Sequence, residues 1–152
     1  MNVLVDTSIW SLALRRKAHE LNPYLTQGLQ VQTLKPVERA AVAELTNLVK
    51  EGRARIIGLV RQELLSGIKT AGQYEKLRAV LRSFPDEPVS TDDYEAAAKA
   101  GNECRSRGVA LSVSDMLISA VAMARDWSIF TGDPDFKSYE RILPLKLHTA
   151  RK

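Results

Sequence analysis

The chain has 152 residues, 45% of them hydrophobic and 26% charged, which is ordinary for one soluble globular domain with a buried core. Its longest uninterrupted apolar run, over 120–124, is far shorter than the roughly 20 residues of a membrane span, and an aspartate at position 6 comes too early for a signal peptide. We therefore expect one cytoplasmic domain over residues 1–152. The net charge of +4 suits solubility and is compatible with a polyanionic partner.

Cysteine and histidine are too few for several kinds of site. Cys104 is the only cysteine, which excludes an internal disulfide and fits a reducing compartment. His19 and His148 are far apart in the sequence, so a zinc site built from thiolates and imidazoles is not expected. If a metal binds, its ligands should be oxygen atoms.

Apolar runs of strand length alternate with helical patterns along the chain. The patterns predict strands at 3–5, 55–59 and 128–131, with minimal strands at 88–89 and 145–147. Helices are predicted at 7–16, 37–50, 60–68, 73–83, 92–106 and 113–126, with a helical turn at 134–139. Residues 17–36 are polar and predict a loop with one short helical turn. This alternation predicts a parallel sheet with helices on both faces, where sites form at the carboxyl ends of the strands.

Two acidic residues follow predicted strands. Asp6 ends the first apolar run and Asp133 follows the last strong one, with Thr131 offering a hydroxyl at the strand end. If the two strands are neighbours, both carboxylates come within reach of one ion. Each acid also has a simpler interpretation, because Asp6 can cap the helix that follows and Asp133 precedes Pro134 as a helix cap would.

Two further acids lie on predicted helices. The helix at 113–126 is apolar on nearly every side and should be buried, so Asp115 in its first turn needs a partner for its charge. Ser112 three residues earlier allows a capping box instead. Glu63 lies at the edge of the apolar face of the helix at 60–68, where an exposed glutamate would look the same.

The order and spacing of these motifs resemble those of one family. Asp-Thr-Ser after an N-terminal strand, then Glu63-Leu64-x-x-Gly67, Ser112-x-x-Asp115-x-x-Ile118 and Thr131-x-Asp133-x-Asp135-Phe136, is similar to the PIN-domain family, and within it to the VapC-type toxins of toxin–antitoxin pairs. The resemblance covers essentially the whole chain. It implies a three-layer α/β/α sandwich with a central, mostly parallel sheet of four or five strands. It also implies an endoribonuclease that depends on Mg²⁺ or Mn²⁺.

The resemblance carries roles to particular residues. Asp6, Glu63, Asp115 and Asp133 match the acidic quartet of the family, Ser8 matches a hydroxyl near the site, and Asp135 is a further candidate because the family varies in which acid of the last motif approaches the metal. We expect Asp6 and Asp115 to be direct ligands, with Glu63 and Asp133 holding waters or a second ion. The partners implied are an RNA substrate, a cognate antitoxin and a second copy of the chain, and no membrane.

Other classes of function stay open at this point. A PIN-like fold that only binds a partner protein would keep its effect without the acidic residues. A phosphoacceptor domain of the response-regulator kind usually has an early acidic pair, whereas here only Asp6 follows the first strand. A haloacid-dehalogenase-like phosphatase needs Asp-x-Asp there, and position 8 is Ser8.

Overall fold

The structure is a computed structural model that describes the backbone of residues 1–20 and 34–152 and the side chains of residues 1–14 and 34–152. The strands of this part of the chain are β1 (Val3–Val5), β2 (Ala54–Arg55) and β3 (Ser128–Phe130). The helices are α1 (Thr7–Glu20), α2 (Pro36–Lys50), α3 (Gly58–Leu65), α4 (Ala71–Leu81), α5 (Thr91–Ser106), α6 (Val113–Arg125) and α7 (Asp135–Glu140).

The three strands form a parallel sheet in the order β2-β1-β3, so β1 is central. Val3 pairs with Ala54 on one side and with Ser128 on the other. Single parallel bridges join Ile56 to Asp86 and Ile129 to Leu147, beside β2 and β3. The predicted parallel α/β architecture is confirmed. Four or five strands were expected, and the described residues contain three regular ones. The two single bridges lie at the two outer edges of the sheet, where a fourth and a fifth strand were expected.

Three predicted strands differ from the structure. The one predicted at 145–147 is reduced to the single bridge at Leu147. The strand predicted at 55–59 ends at Arg55, and α3 begins at Gly58, because the buried Ile56 and Ile57 belong to the connection between the two elements. A short apolar run cannot by itself distinguish a strand from a buried helix start. Residues 88–89 form no strand, and the pairing at this edge falls instead on Asp86.

The loop predicted at 17–36 also needs correction at both ends. Helix α1 continues to Glu20, and Pro36 is the first residue of α2, a position where its missing N–H costs nothing. The rest of that segment, 21–33, lies outside the described residues. Helix α3 ends at Leu65, three residues before the predicted end at 68. The remaining helix boundaries agree with the predictions within two residues, the usual spread between assignments of helix ends.

The core surrounds β1, whose three residues are fully buried. Helix α6 contributes a continuous buried stretch from Met116 to Ala122, which confirms that it is apolar on nearly every side. Because β1 and β3 are adjacent and parallel, Asp6 and Thr131, which follow them, reach the same edge of the sheet. No helix in the described part of the chain is long and apolar enough to cross a membrane.

Candidate functional site

Asp6 is buried at the carboxyl end of the central strand, with 5% of its surface exposed. Its Oδ1 accepts hydrogen bonds from the backbone N–H of Ser8 at 3.0 Å and from the Ser8 hydroxyl at 2.5 Å. Its Oδ2 accepts from the Thr131 hydroxyl at 2.6 Å. Asp6 therefore caps α1, and its second oxygen ties the end of β1 to the residue after β3.

The loop after β3 holds the next two acids. The Thr131 hydroxyl accepts from the backbone N–H of Asp133 at 2.9 Å, and Asp133 Oδ1 accepts from the backbone N–H of Asp135 at 2.9 Å. The backbone N–H of Gly132 donates to the Ser8 hydroxyl at 2.9 Å. The two hydroxyls predicted from the sequence, on Ser8 and Thr131, thus link Asp6 to this loop.

Asp115 projects from the first turn of α6, where the Ser112 hydroxyl accepts from its backbone N–H at 3.1 Å. Its Oδ2 accepts a hydrogen bond from the Tyr139 hydroxyl at 2.9 Å. The Tyr139 ring is 1% exposed and stands edge-on to Phe136, with the ring centroids 5.3 Å apart. The sequence analysis missed Tyr139. The available signal was its spacing of four residues from Asp135, which places an aromatic ring one helical turn from the acids.

One carboxylate cluster stands out among the residues whose placement is described. Oxygens of Asp115, Asp133 and Asp135 all lie within 4.8 Å of one another. We call these three the acidic trio. Asp6 lies outside the trio but is close enough for its charge to act on Asp115. The structure therefore groups Asp133 and Asp135 with Asp115, whereas the sequence analysis expected Asp6 and Asp115 to be the leading pair.

Burial and mutual repulsion both act on these acids. Burial raises the pKa of the Asp6 carboxyl, and the hydrogen bonds from Ser8 and Thr131 offset part of that rise. Burial also raises the pKa of Asp115, and the charges of Asp133 and Asp6 add to it, against the hydrogen bond from Tyr139. Burial and the neighbouring Asp115 raise the pKa of Tyr139, so its hydroxyl stays a donor at neutral pH.

Glu63 is exposed on α3 and lies outside the trio. Its Oε1 accepts from the Thr7 hydroxyl at 3.1 Å. Because Thr7 follows Asp6 directly, this bond ties α3 to the start of α1 beside the buried acid. The structure therefore places Glu63 at the margin of the site, and Thr7 is the second residue there that the sequence analysis missed.

The donor set of the site fits a hard divalent cation. All three members of the trio offer carboxylate oxygens, and the neighbouring groups are hydroxyls and one more carboxylate, with no imidazole or thiolate among the residues just described. Oxygen ligands of this kind suit Mg²⁺, Mn²⁺ or Ca²⁺ rather than zinc or copper. Repulsion among three close carboxylates also disfavours their full ionisation unless a cation neutralises them.

Fold and site together define a class of protein: a parallel α/β domain with a carboxylate cluster at the carboxyl edge of its sheet. The family model for the PIN domain matches residues 33–142, well over half of the chain, and the chain belongs to the PIN-domain family. Nuclease activity is the general function of this family, and its nucleases use divalent metals. The match begins after Asp6, so the first strand of the site lies outside it.

Solved structures share the fold over nearly the whole chain. VapBC2 from Rickettsia felis, bound to a DNA fragment from its promoter, gives a TM-score of 0.63 at 18% identity, covering 97% of this chain and 98% of the other. FitAcB from Neisseria gonorrhoeae gives a TM-score of 0.66 at 16% identity, covering 97% of each chain. VapBC-1 from nontypeable Haemophilus influenzae gives a TM-score of 0.61 at 16% identity, covering 100% of each chain. No curated protein matches the sequence. At these identities the structural likeness is one of fold.

Proposed function

We propose that this protein is an endoribonuclease that depends on Mg²⁺ or Mn²⁺ and acts in the cytoplasm as the toxin of a toxin–antitoxin pair. The observation that carries the proposal is the acidic trio, held within 4.8 Å at the edge of a PIN-domain sheet. The mild positive charge of the chain is compatible with RNA as substrate. We further propose that residues 1–152 form one nuclease domain.

Asp115, Asp133 and Asp135 would hold the metal. The buried Asp6 would add negative charge close to Asp115. When bound, a divalent cation supplies Lewis-acid activation of the phosphodiester and of the attacking water. Tyr139 fixes the carboxylate of Asp115 through its hydrogen bond, and Thr131 fixes both Asp6 and the backbone of Asp133. Glu63, oriented by Thr7 at the margin, would accept a hydrogen bond from the attacking water.

This mechanism specifies the chemical ends of the products. Water attacks the phosphorus atom, the bond from phosphorus to the 3′-oxygen breaks, and the leaving oxygen takes up a proton. One fragment therefore ends in a 3′-hydroxyl and the other begins with a 5′-phosphate. A 2′,3′-cyclic phosphate produced by the pure protein would contradict the mechanism.

The partners are proposed from the structural likeness to solved complexes. The solved structures whose fold this chain shares include VapBC2, VapBC-1 and FitAcB. We propose that this chain likewise binds a cognate antitoxin, and that it forms a homodimer. Co-expression with the gene upstream or downstream of its own, followed by copurification and size measurement, tests both proposals.

The decisive experiment is cleavage of total RNA by the purified protein with Mn²⁺, with Mg²⁺ and with EDTA. We expect cutting that requires metal and falls by at least about a hundredfold in Asp115→Asn, because that change removes one charge of the trio. The matched control is Asp92→Asn, which alters an exposed acid in the first turn of α5. Equal cutting by both variants would refute the proposed site, and cutting that persists in EDTA would refute the metal requirement.

A further inference from the structure

The chain after α7 returns to the outer edge of the sheet, beside β3. The backbone N–H of Ile129 donates to the carbonyl of Lys146, and the backbone N–H of His148 donates to the carbonyl of Ile129, both at 2.8 Å. We call residues 145–151 the C-terminal segment. Since β1 pairs with the other side of β3, the C-terminal segment holds the side of β3 that β1 leaves open.

A carboxylate on α2 binds the C-terminal segment from the protein interior. Glu44 is 2% exposed, and the ring nitrogen Nε2 of His148 lies 2.6 Å from its Oε1. Arg151 donates from Nε to both carboxylate oxygens at 3.1 Å. Because a buried charge is costly without partners, Glu44 favours the arrangement in which both side chains stay bound to it.

His148 joins α2 to β3 through three contacts. Its ring bonds to Glu44, its backbone N–H bonds to Ile129, and its ring stands edge-on to that of Phe130 with the centroids 5.3 Å apart. The His148 side chain is 13% exposed, so these contacts replace most of its contact with water. The bond to Glu44 therefore restrains β3 together with the C-terminal segment.

The restrained end of β3 leads directly into the candidate site. Phe130 is the last residue of β3, and the hydroxyl of the next residue, Thr131, accepts from the backbone N–H of Asp133. Asp133 and Asp135 belong to the acidic trio. A displacement of Phe130 would therefore move two carboxylates of the trio relative to the third, Asp115 on α6.

We propose that Glu44 and His148 are positioning residues for the metal site, because their hydrogen bond fixes the strand from which the loop with Asp133 and Asp135 starts. This inference rests on the proposed metal-dependent function and adds residues that act on the site from the outer side of β3. Carboxylates hold a small divalent cation well only while their oxygens keep a narrow range of spacings. A displaced loop should therefore bind metal less tightly.

The test measures Mn²⁺ binding to the protein without RNA by isothermal titration calorimetry, well below the unfolding temperature of every variant. Under that condition, a loss of stability alone leaves the affinity of the folded molecules unchanged. We expect His148→Phe, which keeps a ring beside Phe130 but removes the donor to Glu44, to weaken Mn²⁺ binding about fivefold, a usual scale for remote contacts coupled to a site. His148→Gln can place an N–H donor where the imidazole Nε2 stood and should bind within about twofold of the parent.

Two further variants calibrate the measurement. Lys146→Gln breaks a different ion pair of the C-terminal segment, the one with Asp126, and should leave Mn²⁺ binding unchanged. Asp115→Asn should weaken Mn²⁺ binding more than any other variant, which places the measured ion at the trio. The proposal is refuted when His148→Phe binds Mn²⁺ as tightly as Lys146→Gln does, or when His148→Gln loses as much affinity as His148→Phe.

A milder variant covers the case in which His148→Phe does not fold. Glu44→Gln weakens the same hydrogen bond and keeps the size of the side chain. An Mn²⁺ affinity equal to that of the parent in this variant refutes the proposal, and a weaker affinity supports it.

Failure of this proposal is distinguishable from failure of the proposed function. If the parent protein binds Mn²⁺ and cuts RNA while His148→Phe and Lys146→Gln behave alike, only the positioning role is lost. If the parent cuts RNA with metal but binds none without RNA, the Mn²⁺ concentration for half-maximal cleavage replaces the affinity in the same comparison. If it neither binds Mn²⁺ nor cuts RNA, the proposed function is lost and this inference with it.

Discussion

Single hydrogen bonds set the orientation of the acids in this site. The hydroxyls of Ser8, Thr131 and Tyr139 together engage Asp6 and Asp115, the two acids whose pKa burial raises most clearly. A hydrogen bond to a carboxylate favours its charged form, and a charged carboxylate is the form that binds a cation. The hydroxyls therefore favour the negative charge that the proposed metal site needs on both acids.

Tyr139→Phe isolates one of these hydrogen bonds. It removes the hydroxyl that donates to Asp115 and keeps the ring that packs on Phe136. We expect RNA cleavage to fall by up to about tenfold, with a loss in unfolding free energy of about 1 kcal/mol. Tyr74→Phe on α4 is the control. A drop in cleavage that more metal restores would show that Tyr139 acts through metal affinity, and unchanged cleavage would contradict the role given to it.

Thr131→Val tests the link between the two strand ends. The substitution keeps the shape of the side chain but removes both the donor to Asp6 and the acceptor for the backbone N–H of Asp133. We expect cleavage to fall at least about tenfold, because the buried Asp6 Oδ2 and the partly buried backbone N–H of Asp133 both lose this partner. Thr131→Ser keeps the hydroxyl and should retain most of the activity. A smaller loss in Thr131→Val than in Thr131→Ser would mean that the methyl group matters more than the hydroxyl and would contradict this role.

At the scale of elements, α6 needs support at both of its ends. Its first turn carries Asp115, and in its last turn Arg125 bonds with Asp93 on α5 and with Glu87. Arg125 holds the pKa of Asp93 at about 2, well below its usual range, although burial opposes that effect. This ion pair fixes α6 against α5 and so fixes the direction in which Asp115 enters the site.

The Asp93–Arg125 pair makes a prediction about pH. Since the pKa of Asp93 is lower in the folded state, the pair contributes stability above about pH 4, and that contribution is lost as pH falls towards 2. We expect Asp93→Asn to lower the unfolding free energy by about 2 kcal/mol at pH 7 and by much less near pH 2. Urea unfolding of the variant and the parent at several pH values measures this difference in unfolding free energy. A difference that does not vary with pH would show that packing, not charge, is lost.

The elements also show what the sequence could supply. Helix α6 and strand β3 were predictable, since one has a long apolar pattern with the Ser112 cap and the other a compact apolar run before Thr131. A strand was also predicted near β2, but its bounds were wrong, because Ile56 and Ile57 are as apolar as a strand and yet are buried in a connection. Tyr139 and Thr7 were missed because their partners, Asp115 and Glu63, are distant in sequence.

At the scale of the molecule, a buried carboxylate anchors the C-terminal segment. Glu44 on α2 is 2% exposed and lies 2.6 Å from the His148 ring nitrogen, and Arg151 donates to both of its oxygens at 3.1 Å. Burial raises the pKa of Glu44, but the hydrogen bonds from His148 and Arg151 outweigh it, so the net shift is downward. The segment that this carboxylate holds also pairs with β3 through Leu147.

Glu44→Gln should loosen this segment more than any surface change nearby. We expect a loss of about 2 kcal/mol in unfolding free energy, because His148 and Arg151 lose the charge they bind while Arg151 stays half exposed. Glu51→Gln is the matched control, since Glu51 pairs with the same Arg151 near the surface, where solvent screens the charges, and the substitution should cost much less. Thermal unfolding compares the two, and equal losses would contradict a special role for the buried acid.

The hydrogen bond between Thr131 and Asp6 spans 125 positions of the sequence. During synthesis on the ribosome, the first strand emerges early and has to wait for the third before the edge of the sheet exists. The nascent chain therefore lacks the complete acidic site until most of it has left the exit tunnel. For the proposed toxin this delay would be an advantage, because an inhibitor made beforehand could already be present when the last strand arrives.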